Sequence, residues 1–321
     1  MASRRDHRNV LVLATCQALG NSSRTLILAT GPLIGYGLSG DKVLATLPSA
    51  LLMAGSAITA YPAAQFMQRV GRRTGFSAGS FIGVGGTLLT MYALASMQFW
   101  LFAAGLFIFG TYHAFIQQYR FAAADVAPDD FKSKAISLVL AGGIVAGFIG
   151  PEVAKYSRAL IAETEFLGTY AFLLFFVIAS GLLVLAVDIP KPHARDAAGG
   201  GRPLPVILRQ GEFVVAVLSA SIGFAVMVML MTTTPIIMTR GLDFPFSDAA
   251  FVIEWHIFAM FAPGFFTGHL INRFGVLRIV TLGNLFLAAA IATALAGQEL
   301  SHFWFAMFLV GMGWNFTYTG G

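Results

Sequence analysis

Residues 167–188 read LGTYAFLLFFVIASGLLVLAVD, with one charge, Asp188, at the far end. A helix rises about 1.5 Å per residue, so this stretch alone crosses a hydrocarbon core about 30 Å thick. Lipid offers the backbone no hydrogen-bonding partner, so such a segment is helical. The rest of the chain agrees with it. Of 321 residues, 57% are hydrophobic and 11% charged, where a soluble domain carries about 25% charged. One soluble core does not hide that much apolar surface. Nine further segments of similar character lie near 9–34, 43–67, 75–95, 98–122, 135–154, 213–238, 248–271, 277–297 and 302–321. The fold class is therefore an all-α membrane protein with about ten transmembrane helices. The small residues Gly143, Gly147 and Gly150 let the fifth segment approach a neighbour closely.

The net charge of +5 raises the question of nucleic acid, but the cations sit in short loops between apolar runs. There they act as topology signals. With the N-terminus inside, the inner side holds Arg4, Arg5, Arg8, Arg69, Arg72, Arg73, Arg120, Lys132, Lys134, Lys191, Arg195, Arg202, Arg209, Arg273 and Arg278. The outer loops hold Lys42, Lys155, Arg158 and Arg240. The first segment is too long and too polar for a cleaved signal sequence, since it contains Gln17, Asn21 and Arg24. The single cysteine, Cys16, rules out an internal disulfide and reads as a small packing residue.

The longest connection, 190–212, is rich in Gly, Pro and charge, as flexible linkers are. It separates an N-terminal half, 1–189, with six segments from a C-terminal half, 213–321, with four. The two halves repeat. Thr30-Gly31-Pro32 is matched by Thr233-Thr234-Pro235 at an offset of about 203. Gln68-Arg69-Val70-Gly71 is matched by Asn272-Arg273-Phe274-Gly275 at about 204. Phe109-Gly110 is matched by Val310-Gly311 at about 201. A six-helix unit used twice predicts two more helices, about 70–80 residues beyond Gly321.

Six plus six helices with a cytoplasmic linker and a basic turn between the second and third resemble the major facilitator superfamily. Its signature in that turn is Gly-x-x-x-Asp-Arg-x-Gly-Arg-Arg/Lys. Here the turn carries Ala64, Gln68, Arg69, Gly71, Arg72 and Arg73, and its second copy carries Gly268, Asn272, Arg273, Gly275 and Arg278. Both copies have an amide where the family has a carboxylate, so a charge-relay latch would have to rely on dipoles here. The arginines serve either a gate or inner-side anchoring. Gly147, Gly150 and Pro151 resemble an antiporter-associated Gly-x-x-x-Gly-Pro motif, but Ala154-Lys155 stands where a further glycine pair is expected. A pliable, close-packed helix where the halves meet explains it equally. The resemblance implies a monomeric secondary transporter in a bacterial inner membrane. It would move a small organic solute by alternating access with proton coupling and without a cofactor. Helices 1, 4, 7 and 10 would line the solute cavity.

Polar residues within spanning helices are costly and mark functional candidates. Gln17, Asn21 and Arg24 fall on one helical face, and so do His113, Gln117 and Arg120. The tenth segment offers Trp314, Asn315 and Tyr318. Arg24 either touches solute or ties helices together, and Arg120 can snorkel to the inner surface. His113, with a reference pKa of roughly 6.5, suits a proton carrier or a packing role. Glu254 either carries the coupling proton, neutralises Arg24 or sits in water at the outer end. The first two roles are compatible with a depth difference from Arg24 of about 6 Å. Tyr112, Trp314 and Tyr318 either stack on a flat solute or fill the core. The six histidines lie on different segments, and neither a nucleophile elbow nor a Walker motif occurs. Enzyme and ATP-driven readings therefore lack residues, as does a metal site. A channel would need repeated filter segments, and a sensor usually adds a soluble domain.

Overall fold

The computed structural model describes residues 4–320 apart from 42, 129–130, 162 and 190–203. Among these residues every regular element is a helix. The chain forms two compact units, Met1–Pro192 and His193–Gly321. The first contains α1 (Arg4–Ser39), α2 (Leu47–Val70), α3 (Arg72–Ala95), α4 (Phe99–Ile116), α5 (Tyr119–Val126), α6 (Lys132–Ser157) and α7 (Leu167–Val184). The second contains α8 (Leu204–Leu208), α9 (Gly211–Ile236), α10 (Phe246–Phe261), α11 (Gly264–Phe274), α12 (Val276–Ala296) and α13 (Leu300–Gly320). Most of the expected linker, 190–203, lies outside the described residues, as do Lys42, Lys191, Arg195, Arg202 and Gly321.

Ten helical stretches answer to the ten expected segments, with three differences. First, α1 runs a turn or more past each end of 9–34. Asp6 in its first turn favours the helix dipole, and helix continues outside lipid wherever polar residues tolerate it. Second, the segment 98–122 is α4 and α5 joined through Gln117 and Gln118. Third, the segment 248–271 is α10 and α11, bent by 42°. Pro263 causes that break, because it has no N–H to continue the hydrogen-bond ladder. By length and composition, six helical stretches are apolar enough to cross a membrane, or seven with the bent pair. The long helices α1, α2 and α13 fall outside that set. In α1 the reason is visible: Asn9, Gln17, Asn21, Ser22, Ser23, Thr25 and Thr30 are all buried against protein.

The first unit has two packing centres and the second has one. In the first, α4 packs against both α2 and α3, while α1 packs on α6 and α7. In the second, α13 packs against α10, α12 and α9. Glycine permits the close approaches. A methyl group at Gly110 would collide with the Leu52 carbonyl of α2, and one at Gly311 would collide with the His256 carbonyl of α10. The turns repeat as well. Gly71 joins α2 to α3 at φ 90°, ψ 154°, and Gly275 joins α11 to α12 at φ 87°, ψ 152°. Each donates its N–H four residues back, to Met67 and Ile271. That backbone region is open essentially only to glycine. Asp188, which closes the opening stretch, pairs with Arg5, and its carbonyl accepts from Asn9 Nδ2 at 3.0 Å.

Candidate functional site

In the first unit, three expected residues come together with two that sequence reasoning missed. Arg24 of α1 points Nη2 at the Met53 sulfur of α2, 3.8 Å away. Met53 stands three residues before Ser56, which contacts His113 on α4. His113 is 3% exposed. Its Nδ1 lies 3.2 Å from Ser56 Oγ of α2, and its Nε2 lies 3.5 Å from Gln117 Nε2. The His113 ring thus stands between a hydroxyl and an amide, either of which can donate to or accept from it according to its tautomer. Gln17 and Asn21 are buried further along the same face of α1. Ser56 was legible in principle, since Ser56 and Thr59 form a short polar stripe within an apolar segment. Thr59 Oγ1 donates to Thr111 Oγ1 of α4 at 3.2 Å.

Tyr112 is not part of this group. It packs against Gly83 of α3 and makes an edge contact with Phe109, fully buried. Gly147 is buried on α6, and Gly150 presses on Thr25 of α1, whose hydroxyl donates to the Ala146 carbonyl at 2.8 Å. The antiporter-like motif thus makes its close approach inside the first unit, beside Arg24. Arg120 lies over the ring of Phe121.

At the basic turn, Gln68, Arg69 and Arg73 are exposed, but Arg72 Nε pairs with Asp125 of α5. The acid absent from the turn is supplied by another helix. Sequence reading missed Asp125 because the family pattern directs attention to position 68, whereas Asp125 lies 53 residues along the chain from its partner Arg72. In the second copy Asn272, Arg273 and Gly275 are exposed, and Arg273 covers the ring of Phe274.

In the second unit, Asn315 staples the broken helix. Its Nδ2 donates to the Met260 carbonyl at 2.6 Å, and its Oδ1 accepts from Thr267 Oγ1 at 2.7 Å. The first bond satisfies a carbonyl beside the Pro263 break. Trp314 and Tyr318 stack with ring centres 4.8 Å apart and planes 15° apart, with Phe261 edge-on to the indole. Glu254 is 6% exposed. A carboxylate so buried is not a solvated outer-end residue. Its neighbour His256 is fully buried and bonds through Nδ1 to the Met307 carbonyl at 2.7 Å. Among the described residues no group of three or more His, Cys, Asp or Glu could hold a metal ion.

The family model of the Major Facilitator Superfamily matches residues 13–321. The chain belongs to the Major Facilitator Superfamily. It is thus a multi-pass membrane transporter and not an enzyme. The riboflavin transporter RfnT of Brucella anthropi is 39% identical over 319 residues, covering 98% of this chain and 79% of that protein. An uncharacterised MFS-type transporter of Bacillus subtilis, YddS, is 28% identical, covering 96% and 74%. Among solved structures, a D-xylose-proton symporter aligns with a TM-score of 0.72 at 13% identity, covering 97% of this chain and 81% of that one. A bacterial homologue of the human lysosomal transporter Spinster, inward-facing and occupied, aligns at 0.71 and 17% identity, covering 100% and 74%. At these identities the structural likeness speaks to the fold alone.

Proposed function

We propose that this superfamily member carries riboflavin or a closely similar flavin across a bacterial inner membrane by alternating access. Its N-terminus lies on the cytoplasmic side, and transport is coupled to protons. The observation that carries the solute assignment is the 39% identity with RfnT across 98% of the chain. The geometry supports it. A flavin joins a flat tricyclic ring to a hydroxyl-rich tail. The first unit offers a hydrogen-bonding group at Arg24, Ser56, His113 and Gln117. The second offers stacked aromatic rings at Trp314 and Tyr318. Each group, within its own unit, sets a few placed polar or aromatic side chains among apolar ones, as small-molecule sites do. Glu254 and His113 are the buried groups assigned to the coupling proton, and Arg72 with Asp125 is assigned to the gate.

Uptake of radiolabelled riboflavin into proteoliposomes tests this. The expected result is saturable uptake, accelerated when the outside is made acid and abolished by a protonophore. No saturable uptake overturns the solute assignment. Uptake indifferent to the gradient overturns proton coupling alone. Glu254→Gln is expected to leave uptake that no longer responds to pH, and unchanged coupling in this variant removes Glu254 from the role.

A further inference from the structure

We infer that the aromatic column on α13, formed by Trp314 and Tyr318 with Phe261 at its edge, binds the planar conjugated ring of the solute. In this assignment the indole N–H of Trp314 donates to a ring carbonyl or ring nitrogen. The inference rests on the flavin reading above and adds which part of the ligand this unit recognises.

Three observations within the second unit carry it. First, the repeat offset of about 201 places Trp314 and Tyr318 at the register that His113 and Gln117 hold in the first unit. That register is where α4 carries polar groups, so α13 turns its aromatic pair to the equivalent face. Second, Trp314 Nε1 is buried and has no hydrogen-bond acceptor among the described residues. Leaving a buried donor unsatisfied is unfavourable, and a ligand acceptor removes the penalty. Tyr318 is 44% exposed. The stack therefore ends on a ring open to a planar ligand. Third, the platform is rigid where it has to be. Asn315, the next residue, is tied to both Met260 and Thr267, which fixes the angle at which α13 presents Trp314.

Trp304 provides the contrast. Its N–H is also unsatisfied and it also stacks, on Phe308. Trp255 and Phe305 close around it edge-on, which fills its surroundings with protein rings. Among the described residues, the ring contacts of Trp314 are Phe261 at its edge and a stack that ends on the exposed Tyr318.

The test is equilibrium binding to the chain in lipid nanodiscs, read by quenching of flavin fluorescence. The probes are riboflavin, lumichrome (ring without tail) and ribitol (tail without ring). Wild type is expected to bind riboflavin and lumichrome, and ribitol is expected to compete poorly. Trp314→Leu and Tyr318→Leu should each weaken lumichrome by about 5- to 100-fold, the range expected for one stacking contact. Trp314→Phe keeps a ring and loses the N–H, so a smaller loss of up to about tenfold is expected. Trp304→Phe should change neither affinity. If Trp314→Leu fails to fold, Trp314→Phe and Tyr318→Leu decide. Wild type binding riboflavin while all the Trp314 and Tyr318 variants stay within twofold overturns this inference and leaves the flavin reading standing. Wild type binding neither flavin overturns both.

Discussion

The two units share a skeleton and differ in what they hang on it. Gly71 and Gly275 turn the chain with the same backbone angles, and Gly110 and Gly311 each lie on a carbonyl of the preceding packed helix. The side chains at matched positions then diverge. Where the first unit has Arg24, Ser56, His113 and Gln117, the second has Met227, Met260, Trp314 and Tyr318. Gln17 and Asn21 are answered by Ala220 and Phe224. Backbone-to-backbone contact leaves no room for variation in a glycine, so the skeleton repeats. A polar stripe is not needed for that contact, and each unit has spent it on different chemistry. One unit became polar and cationic, the other aromatic.

The skeleton's equivalence can be broken most forcefully at its glycines. Gly110→Ala places a methyl group against the Leu52 carbonyl, and Gly311→Ala places one against His256. Neither obstacle is a flexible side-chain end. Each variant should lose about 3 kcal/mol or more, at the upper end of overpacking costs. Thermal unfolding in detergent measures it. Near-wild-type stability of one variant and collapse of the other would show that the two contacts are not equivalent.

The chemical difference is next in size. Arg24→Met installs the residue found at the matched position of the second unit. It removes a charged donor and retains an apolar side chain. Riboflavin uptake should fall about 10- to 100-fold, the equivalent of one charge-assisted hydrogen bond, with the amount of folded protein unchanged. Uptake within twofold of wild type would mean that Arg24 only ties α1 to α2 at Met53.

How much of this was legible in the sequence follows the same division. The skeleton was readable, because apolar length fixes the spans and glycine leaves a trace wherever backbone geometry demands it. Gly71 and Gly275 mark the repeat in the sequence itself. The polar stripes were readable as stripes, since Gln17, Asn21 and Arg24 recur at helical spacing. Their partners were not. Ser56 meets His113 across 57 positions, Asp125 meets Arg72 across 53 and Asn315 meets Met260 across 55. Helix periodicity says which face a residue is on, and nothing about which helix that face meets. Asn315 shows the cost. Its position on a polar stripe suggested solute contact, whereas its two hydrogen bonds are spent on the Pro263 break.

That break sharpens the comparison further. Met260 matches Ser56, but α2 is continuous there while the matched helix is interrupted. Asn315→Leu leaves the Met260 carbonyl buried without its side-chain donor and should cost about 1–3 kcal/mol. His113→Leu should cost less. Ser56 Oγ can turn to a carbonyl of its own helix, and Gln117, which also loses its contact with the ring, is only half-buried. Thermal unfolding of the two variants side by side checks the order, and a larger loss for His113→Leu would place the structural polar tie in the first unit.

The smallest expected effect is at the basic turn. Arg72 pairs with Asp125, while its match in the second unit is Val276, which has no charge to pair. The Arg72 side chain is 18% exposed and that of Asp125 44%. Solvent therefore screens the pair, and its contribution to stability should be no more than about 1 kcal/mol. A double-mutant cycle with Arg72→Gln and Asp125→Asn measures the coupling directly. Transport is the more sensitive readout. If the pair exists to hold one conformation of the transporter, each single variant should change the uptake rate more than it changes stability, and the double variant should resemble either single one. Stability and uptake falling together in proportion would instead make Arg72 an anchor like the exposed Arg69 and Arg73, and the two basic turns would then differ only in how many arginines they hold.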